Sequence, residues 1–415
     1  MIDLTNQMRS RISDLDVQNQ RISYQMSTGK VIDKGSDDSV LYSKYLDIED
    51  NLRVYEGLEQ QINKTTAQNN VADSTTGEIK KTLDSIKVDL LKSLNSGMTK
   101  NDMIAVATNL DGMRETLVTL ANTTVDGEYL FTGSDTTKQT FKKDPDYEIN
   151  GKIDFGGNAH LRDVAVEPGV YRERGVTAHE ILMYNTDTSA NDDAITFTEE
   201  DIVVDQQGNT WKFVDYDNDG DIDDDDKDRL YKINENGRVS DEYLKISSTE
   251  DEDEDTGKHK TYTTETISDA KDDGRISPKT ASGLLLETKH NVFDDLNIAI
   301  NALKGYKTKL NGEKGDQISY TEIRDQLSQS LGLISQQYDA TNIGHAELGG
   351  RNKIFETELE RIDTKVTHYN ILMQKTNGAD MAKLAMESKS LELTYNALYS
   401  TVAKMNKLSL VNFIN

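Results

Sequence analysis

Residues 215–226, near the middle of the chain, have the composition and spacing of a calcium-binding loop. Carboxylates alternate along the segment, Gly220 holds the sixth position for a sharp turn, and Ile222 fills the apolar eighth position. The loop ends on an aspartate where a bidentate glutamate is usual. We therefore predict a calcium site, and its candidate ligands are Asp215, Asp217, Asp219, Asp221, Asp223 and Asp226.

A solvated acidic turn is the alternative interpretation of this segment. Carboxylates about 4 Å apart repel by roughly 1 kcal/mol in water and by about 4 kcal/mol at an effective dielectric constant of 20. So many aspartates would spread apart unless a cation held them together. A structural calcium clip is favoured over a calcium sensor, because no methionine-rich groove accompanies the loop. Residues 269–280 repeat the pattern faintly, but Lys271 and Thr280 stand at ligand positions, so we expect no binding there.

Outside this loop the sequence offers no combination of residues that indicates catalysis. It contains no cysteine, no phosphate-binding glycine loop, no serine nucleophile motif and no cluster with zinc-ligand spacing. The histidines are scattered and are expected to be ordinary surface or core residues. They are His160, His179, His259, His290, His345 and His368. We predict that the protein is not an enzyme.

The composition argues against several classes of partner. The chain has 415 residues and a formal net charge of -27, whereas nucleic-acid binding depends on lysine and arginine. The same charge disfavours an anionic membrane surface. The N-terminus carries Asp3, Arg9, Arg11 and Asp14 where a cleaved signal peptide needs an apolar run. No stretch reaches the roughly 18 apolar residues of a membrane span. We expect neither a nucleic-acid nor a membrane partner.

Helical periodicity is strongest at the two ends of the chain. All three prolines lie between residues 145 and 278, so neither flank contains a helix-breaking proline. One helix is predicted to end at the turn Thr28–Gly29. A second helix of about 50 residues would be about 75 Å long at 1.5 Å per residue. A third is predicted to begin after Thr99, which can form a capping pair with Asp102.

Apolar residues recur every seven positions in the first helix and again in the last, as they do in coiled coils. Residues 355–373 show alternating steps of four and three as well. An ordinary amphipathic helix is the alternative for any single segment. Because several such segments are shared between both ends, we favour pairing of the termini. The candidate assembly interface consists of Met8, Leu15, Ile22, Leu384, Leu391, Leu398 and Met405.

The middle of the chain has a different character. Residues 195–198 and 211–214 are predicted strands, and residues 151–166 alternate like a strand region with a glycine turn. Residues 227–233 are interpreted as a short helix that leaves the acidic loop. The acidic run of residues 250–255 is expected to be a solvated loop.

The predicted fold class is therefore α+β and multidomain. An antiparallel helical rod, a coiled coil or bundle, would be formed by the N- and C-terminal segments and would carry an inserted β-rich outer domain. Three domains are predicted. They are a terminal helical assembly domain of residues 1–40 and 366–415, a helical rod domain of residues 41–135 and 281–365, and the outer domain of residues 136–280 with the acidic loop.

Several segments resemble the flagellin superfamily of bacterial flagellar subunits. Residues 25–38 are similar to its N-terminal signature of a helix end, a glycine turn and an acidic pair. Residues 109–134 resemble the region where the rod helix of the superfamily meets its outer domain. Residues 408–415 resemble the tail of its hook-associated members. The turn at residues 27–38 and the sequence Phe131-Thr132-Gly133 favour those members over flagellin itself. The resemblance covers both flanks but not the middle.

This resemblance implies a structural subunit that joins the flagellar hook to the filament and assembles through its paired terminal helices. It implies export by the flagellar type III route without a cleaved signal peptide, and an extracellular position on the flagellum. The implied partners are identical subunits in a ring, a neighbouring hook-associated protein, flagellin and an export chaperone. Two alternatives remain open. They are flagellin itself and a secreted calcium-binding adhesin with an acidic, β-rich middle.

Overall fold

The computed structural model describes most of the chain, and its contacts divide the chain into two compact units. The terminal unit comprises Met1–Gln60 and Glu358–Asn415, and the central unit comprises Gln61–Thr357. The described residues are 2–95, 97–189, 193–198, 201–214, 229–233, 239–250, 261–309 and 312–414, without the side chains of residues 2–5, 248–250 and 405–414.

Long helices occupy both ends of the chain and short helices lie between them. The helices are α1 (Ile2–Thr28), α2 (Ser39–Ser93), α3 (Lys100–Ala121), α4 (Tyr147–Asn150), α5 (Ala178–Ile181), α6 (Ile267–Asp272), α7 (Pro278–Ala281), α8 (Val292–Lys304), α9 (Tyr320–Asn377) and α10 (Met381–Ile414). Among the residues that the structure describes, no helix is both long and apolar enough to cross a lipid bilayer.

The strands lie between α3 and α9. They are β1 (Thr124–Val125), β2 (Glu128–Tyr129), β3 (Phe141–Lys143), β4 (Ile153–Phe155), β5 (Arg162–Glu167), β6 (Val170–Arg174), β7 (Met183–Thr188), β8 (Thr196–Phe197), β9 (Ile202–Asp205), β10 (Thr210–Val214), β11 (Arg229–Ile233), β12 (Val239–Glu250), β13 (Thr261–Thr264), β14 (Leu286–Asn291), β15 (Tyr306–Thr308) and β16 (Lys314–Gln317). The predicted fold class, helical ends with an inserted β-rich region, is confirmed.

The predicted start of the third helix is also confirmed. The backbone N–H of Asp102 donates to Thr99 Oγ1 at 3.3 Å, and the backbone N–H of Thr99 donates to the Asp102 carboxylate at 2.9 Å. This reciprocal pair satisfies two backbone donors that a helix N-terminus otherwise leaves without partners. The same interactions lower the pKa of Asp102, because hydrogen bonds from Thr99 stabilise the charged carboxylate.

The helical core of the central unit is built from stripes of buried apolar residues. Helices α2, α3 and α9 each contribute one stripe, and the amphipathic helix α8 packs against α3. Because α2, α3 and α9 each bury only one face, their apolar stripes stabilise the helices only when they are packed together. Fully buried members include Ile79, Leu83, Ile86, Leu90, Ala107, Leu110, Leu117, Leu296, Ile300, Leu327 and Ile334.

An eight-stranded sheet forms most of the inserted region. Its strand order is β7-β14-β9-β10-β11-β12-β13-β8, and all its paired strands are antiparallel. The two edge strands are joined by side chains. The Asp187 carboxylate on β7 accepts from Thr196 N–H on β8 at 2.7 Å, and Thr288 Oγ1 on β14 donates to the Thr196 carbonyl at 2.7 Å. These bonds occupy groups that an edge strand would otherwise expose to another chain.

One secondary-structure prediction is wrong. Residues 229–233, interpreted as part of a short helix after the acidic loop, form strand β11. Leu230 of this strand is buried in the core of the sheet, and β11 pairs with β10 on one side and β12 on the other. Two flanking strands supply hydrogen bonds to the backbone of β11, and this tertiary pairing outweighs the weak local preference of five residues.

Asp205 organises the turn between β9 and β10. Its carboxylate accepts hydrogen bonds from the backbone N–H of Gln207 at 3.0 Å and of Asn209 at 2.9 Å. It also accepts from Asn209 Nδ2 at 2.8 Å and from the indole Nε1 of the buried Trp211 at 3.2 Å. One buried carboxylate therefore satisfies four donors and fixes the indole in the core of the sheet.

We expect Asp205→Ala to destabilise the sheet by at least about 2 kcal/mol, because each orphaned buried donor costs about 1–3 kcal/mol. Trp211 is the only tryptophan, so urea unfolding followed by its fluorescence measures this region selectively. Asp241→Ala is the matched control, because Asp241 is exposed on β12. An equal unfolding midpoint for Asp205→Ala and the control would contradict the role given to Asp205.

Candidate assembly interface

In the terminal unit, α1 and α10 pack against each other. We call the contact between their apolar faces the seam. The structure places the predicted interface residues along this seam. Ile22, Leu384 and Leu391 are buried, whereas Met8, Leu15 and Leu398 are half-buried. The side chain of Met405, on α10, lies outside the described residues.

The two helices run antiparallel, and a polar contact joins them beside the seam. Tyr395 of α10 donates its hydroxyl to the Asp16 carboxylate of α1 at 2.5 Å. This hydrogen bond raises the pKa of the Tyr395 hydroxyl to about 12, because it stabilises the neutral phenol beside a negative charge. The contact therefore persists across the physiological pH range.

A hydrogen-bonded clasp, formed by residues 29–32 and 377–379, connects the points where α1 and α9 end. Val31 N–H donates to the Asn377 carbonyl at 2.8 Å, and Ala379 N–H donates to the Gly29 carbonyl at 2.8 Å. The buried Asn377 side chain accepts from Ile32 N–H at 2.9 Å and donates to the Ile32 carbonyl at 3.4 Å. Gln25 Nε2 adds a bond to the Val31 carbonyl at 2.6 Å. The clasp therefore fixes the alignment of the two flanks, with Ile32 opposite Asn377.

Two glycines permit the clasp. Gly29 has a φ of +69°, a left-handed conformation that side chains with a Cβ adopt at a cost. At Gly378 an added Cβ would lie 2.2 Å from the Gln374 carbonyl oxygen, so only glycine fits there without displacing backbone. Both helices thus end at positions where glycine follows the last helical residues.

Aspartates cap the segments that follow. Asp38 accepts from the backbone N–H of Val40 and Leu41 at the start of α2, at 3.1 and 2.9 Å. Asp380 does the same for Ala382 and Lys383 at the start of α10, with both distances 3.0 Å. Sequence reasoning identified the acidic pair at residues 37 and 38 as a signature but missed Asp380, whose position before α10 is the signal that would have found it.

Asp37 holds the loop before α2. Its carboxylate accepts from the backbone N–H of Asp33 and of Lys34, both at 3.1 Å. Hydrogen bonds from Lys34 and then Asp33 lower the pKa of Asp37, because they stabilise the charged form. The acidic pair therefore shapes the link between α1 and α2.

A second pairing in the terminal unit joins the start of α2 to the end of α9. The rings of Tyr55 and Tyr369 stack with their centroids 5.4 Å apart, and the Lys365 ammonium lies 4.9 Å from the centre of the Tyr55 ring. Stacked rings and a cation over a ring each add modest attraction to the burial of the apolar residues nearby. Those buried residues are Tyr45, Ile48, Leu52, Leu58 and Ile362.

Apolar residues also lie on the outer faces of the pair. Met386 is 68% exposed and Leu393 is 61% exposed on α10, and Val17 is 64% exposed on α1. At 3.6 residues per turn, Met386 and Leu393 lie on the side of α10 opposite to Leu384 and Leu391. Each helix thus has one apolar face in the seam and apolar residues on the other face, which is typical of helices that pack against more than one neighbour.

The predicted calcium loop, residues 215–226, lies outside the described residues. Its two flanks are described: it belongs to the connection between β10 and β11, where Val214 pairs with Arg229. In the described part of the chain, no group of three or more histidine, aspartate or glutamate side chains is arranged to hold a metal ion.

The fainter copy at residues 269–280 contains an internal cation. The Arg275 guanidinium forms ion pairs with Glu265 and Asp273, and it donates to the Asp269 carbonyl at 3.4 Å. The oxygen atoms that a metal ion would need at this turn are thus bound to an arginine. Thr280, at the twelfth position, donates its hydroxyl to Glu242 at 2.7 Å.

Comparison with known protein families gives a match at the N-terminal flank. Residues 3–136 match the bacterial flagellin N-terminal helical region, which covers α1, α2 and α3 and the residues that follow them. The matched region includes the N-terminal half of the seam and of the clasp.

Three of the solved structures that this chain resembles at low identity are from bacteria. A flagellar hook-associated protein of Vibrio parahaemolyticus is 14% identical, with a TM-score of 0.49 over 82% of this chain and 100% of its own. FlgL of Xanthomonas campestris is 14% identical, with a TM-score of 0.47 over 79% of this chain and 99% of its own. The flagellar junction protein FlgL of Legionella pneumophila is 12% identical, with a TM-score of 0.43 over 75% and 98%. A comparison with curated proteins gave no match.

We expect Asn377→Ala to open the clasp. The change removes the acceptor of the buried Ile32 N–H, a loss of about 1–3 kcal/mol. Amide hydrogen exchange should become faster at Val31 and Ile32, and a protease should cut more rapidly at residues 29–38. Asn19→Ala is the matched control, because Asn19 is exposed on α1. Unchanged protection of Ile32 in Asn377→Ala would show that the side chain does not hold the clasp.

Proposed function

We propose that this protein is a structural subunit of the bacterial flagellum that joins the hook to the filament, as hook-associated protein 3 does. The observation that carries the proposal is the flagellin-family match of residues 3–136 together with the antiparallel seam between the two ends of the chain. The turn at residues 27–38 and the sequence Phe131-Thr132-Gly133 favour a junction subunit over flagellin.

The terminal unit is the part of the chain that would assemble. A helix pair has only one buried face, so its long helices gain little stability in water without further neighbours. Exposed apolar residues on the outer faces, Val17, Met386 and Leu393, supply a surface that identical subunits can cover. In this proposal residues 1–40 and 366–415 are the assembly domain, residues 41–135 and 281–365 the rod, and residues 136–280 the outer domain.

The proposed partners and location follow from that role. Identical subunits would form a ring between a neighbouring hook-associated protein and flagellin, outside the cell. An export chaperone would cover the terminal helices before assembly, and the chain would leave through the flagellar type III route without a cleaved signal peptide. A structural role also gives the chain no catalytic task. The competing functions are flagellin itself and a secreted calcium-binding adhesin.

Deletion of the gene separates these functions. Loss of a junction subunit should leave hooks without filaments, and flagellin should accumulate in the culture medium. Loss of an adhesin should leave motility intact, and loss of a flagellin should do so wherever a second flagellin is made. Electron microscopy with antibody labelling should place the protein at the hook–filament boundary. Labelling along the whole filament would identify a flagellin instead.

We expect Leu393→Asp to abolish complementation of the deletion while the free subunit stays folded, because Leu393 lies on the face away from the seam. A buried charge in a subunit contact costs several kcal/mol unless it is paired. Ser390→Asp is the matched control, with the same added charge at an exposed polar position of α10. Motility, junction occupancy by microscopy and the circular dichroism of the purified subunit are the measurements. Full complementation by Leu393→Asp would exclude this face from the assembly.

We also propose that residues 215–226 bind calcium as a structural clip. The sequence places nine aspartates between Val214 and Arg229, and these two residues pair in the β10–β11 hairpin. Holding the ends together concentrates like charge, and a divalent cation relieves the repulsion. The glycine and isoleucine at positions six and eight support a calcium loop over a plain acidic turn.

Calorimetric titration should show calcium binding to the intact chain, and the double variant Asp215→Ala with Asp226→Ala should lose it. The matched control carries Asp251→Ala with Asp255→Ala, which removes the same charge from the neighbouring acidic run. Trp211, on the strand that enters the loop, supplies a fluorescence signal for the same titration. Absence of heat at millimolar calcium, or equal binding by both double variants, would remove the site.

A further inference from the structure

A small pocket in the central unit lies between α2 and the β5–β6 hairpin. Gln68 and Asn69 of α2 line one side, and Arg162 and Arg174 of the hairpin line another. The loop after β2 contributes Gly133 and Thr136. The pocket is small, with space of the order of one water molecule or one monoatomic ion.

The side chains beside the pocket carry an excess of positive charge. Glu128 forms ion pairs with Lys64 at 3.1 Å, Arg162 at 2.7 Å and Arg174 at 3.3 Å. Three cations therefore share one carboxylate, in a chain whose net charge is -27. Within the described part of the chain, neither arginine forms an ion pair with another acidic side chain. The local charge favours an anion as the additional occupant.

The pKa shifts of Glu128 and Arg174 are consistent with an excess of positive charge beside the pocket. Burial raises the pKa of Glu128, but hydrogen bonds from Lys64 and Arg162 outweigh it and bring the pKa to about 2. Burial lowers the pKa of Arg174, and repulsion from Arg162 lowers it further. Both guanidinium groups donate to Glu128 Oε2, at 2.7 and 3.3 Å, so they lie close enough to repel each other, and one carboxylate balances only one of their charges. A second negative charge beside them would relieve the remaining repulsion.

Asn69 supplies a donor that no described residue uses. The residue is 1% exposed, and both polar atoms of its side chain are buried without a hydrogen-bond partner among the described residues. A buried amide without partners costs about 1–3 kcal/mol, so a bound species beside it is expected. Its side chain lines the pocket, where the two arginines lie.

We propose that this pocket binds one monoatomic anion of chloride size, held by Asn69, Arg162 and Arg174. A larger oxyanion does not fit the space, and a water molecule does not neutralise the two arginines. The anion would join α2 to the β5–β6 hairpin and so stabilise the central unit. This proposal is independent of the assembly function, because no residue of the pocket lies in the terminal unit.

Thermal unfolding at constant ionic strength tests the proposal, with chloride replaced stepwise by the bulky anion gluconate. Chloride and bromide should raise the Tm in a saturable manner, because an ion that binds only the folded chain stabilises it by mass action. Asn69→Asp places a carboxylate beside the arginines, so this variant should lose the halide dependence and keep in gluconate the Tm that the wild type has in chloride. Asn70→Asp is the matched control: its exposed neighbouring position should leave the halide dependence intact.

A bromide-soaked crystal of the full chain gives a second measurement that does not depend on a variant folding. An anomalous peak beside Asn69 and the two arginines supports the anion. A peak with the density of water and no anomalous signal overturns it. A Tm that is the same in chloride and gluconate, or a halide effect that survives in Asn69→Asp, also overturns it.

Discussion

The structure of the terminal unit depends on the choice of one alignment between α1 and α10. Each helix has an apolar stripe with a seven-residue repeat, and such stripes match equally well after a shift of one repeat. Apolar contact therefore brings the helices together without specifying their register. Asn377 specifies it, because its buried amide can pair with Ile32 in one alignment only. The Asp16–Tyr395 hydrogen bond selects the same alignment from the middle of the pair.

Local information was sufficient to predict helices at the two ends of the chain and some of their boundaries. The stripes of α1, α9 and α10 recur within a few turns, so the sequence of each helix alone predicts its buried face. The capping pair of Thr99 and Asp102 spans four residues, and the break after Thr28 is marked by a glycine. The sequence therefore predicts which face of each terminal helix belongs to the candidate interface. The sequence does not predict the register between these helices, because the contact that sets it joins Ile32 to Asn377, which are separated by most of the chain.

The β-rich region shows where local reasoning fails. Strand β14 lies between β7 and β9, although about eighty residues separate it from β9 in sequence, and no local pattern encodes that order. Strand β11 was wrongly assigned to a helix because its pairing with two neighbours, not its own residues, decides its conformation. The pocket at Asn69 was missed for a related reason, since its polar side chains come from α2 and from the distant β5–β6 hairpin, and each looks like an ordinary surface residue.

Helix α9 also carries a polar face that its periodicity did not reveal, and this face contacts α5, which directly precedes the eight-stranded sheet. Gln337 Nε2 and Thr341 Oγ1 both donate to the Ile181 carbonyl, at 2.9 and 2.8 Å. At Gly344 an added Cβ would lie 2.7 Å from the Glu180 carbonyl oxygen, so the close approach requires glycine. Buried polar contacts tolerate little substitution, because a single lost partner leaves a donor or acceptor unpaired. The acidic connection between β10 and β11 involves none of these atoms. Substitutions in that connection therefore remove none of the contacts between α9 and α5.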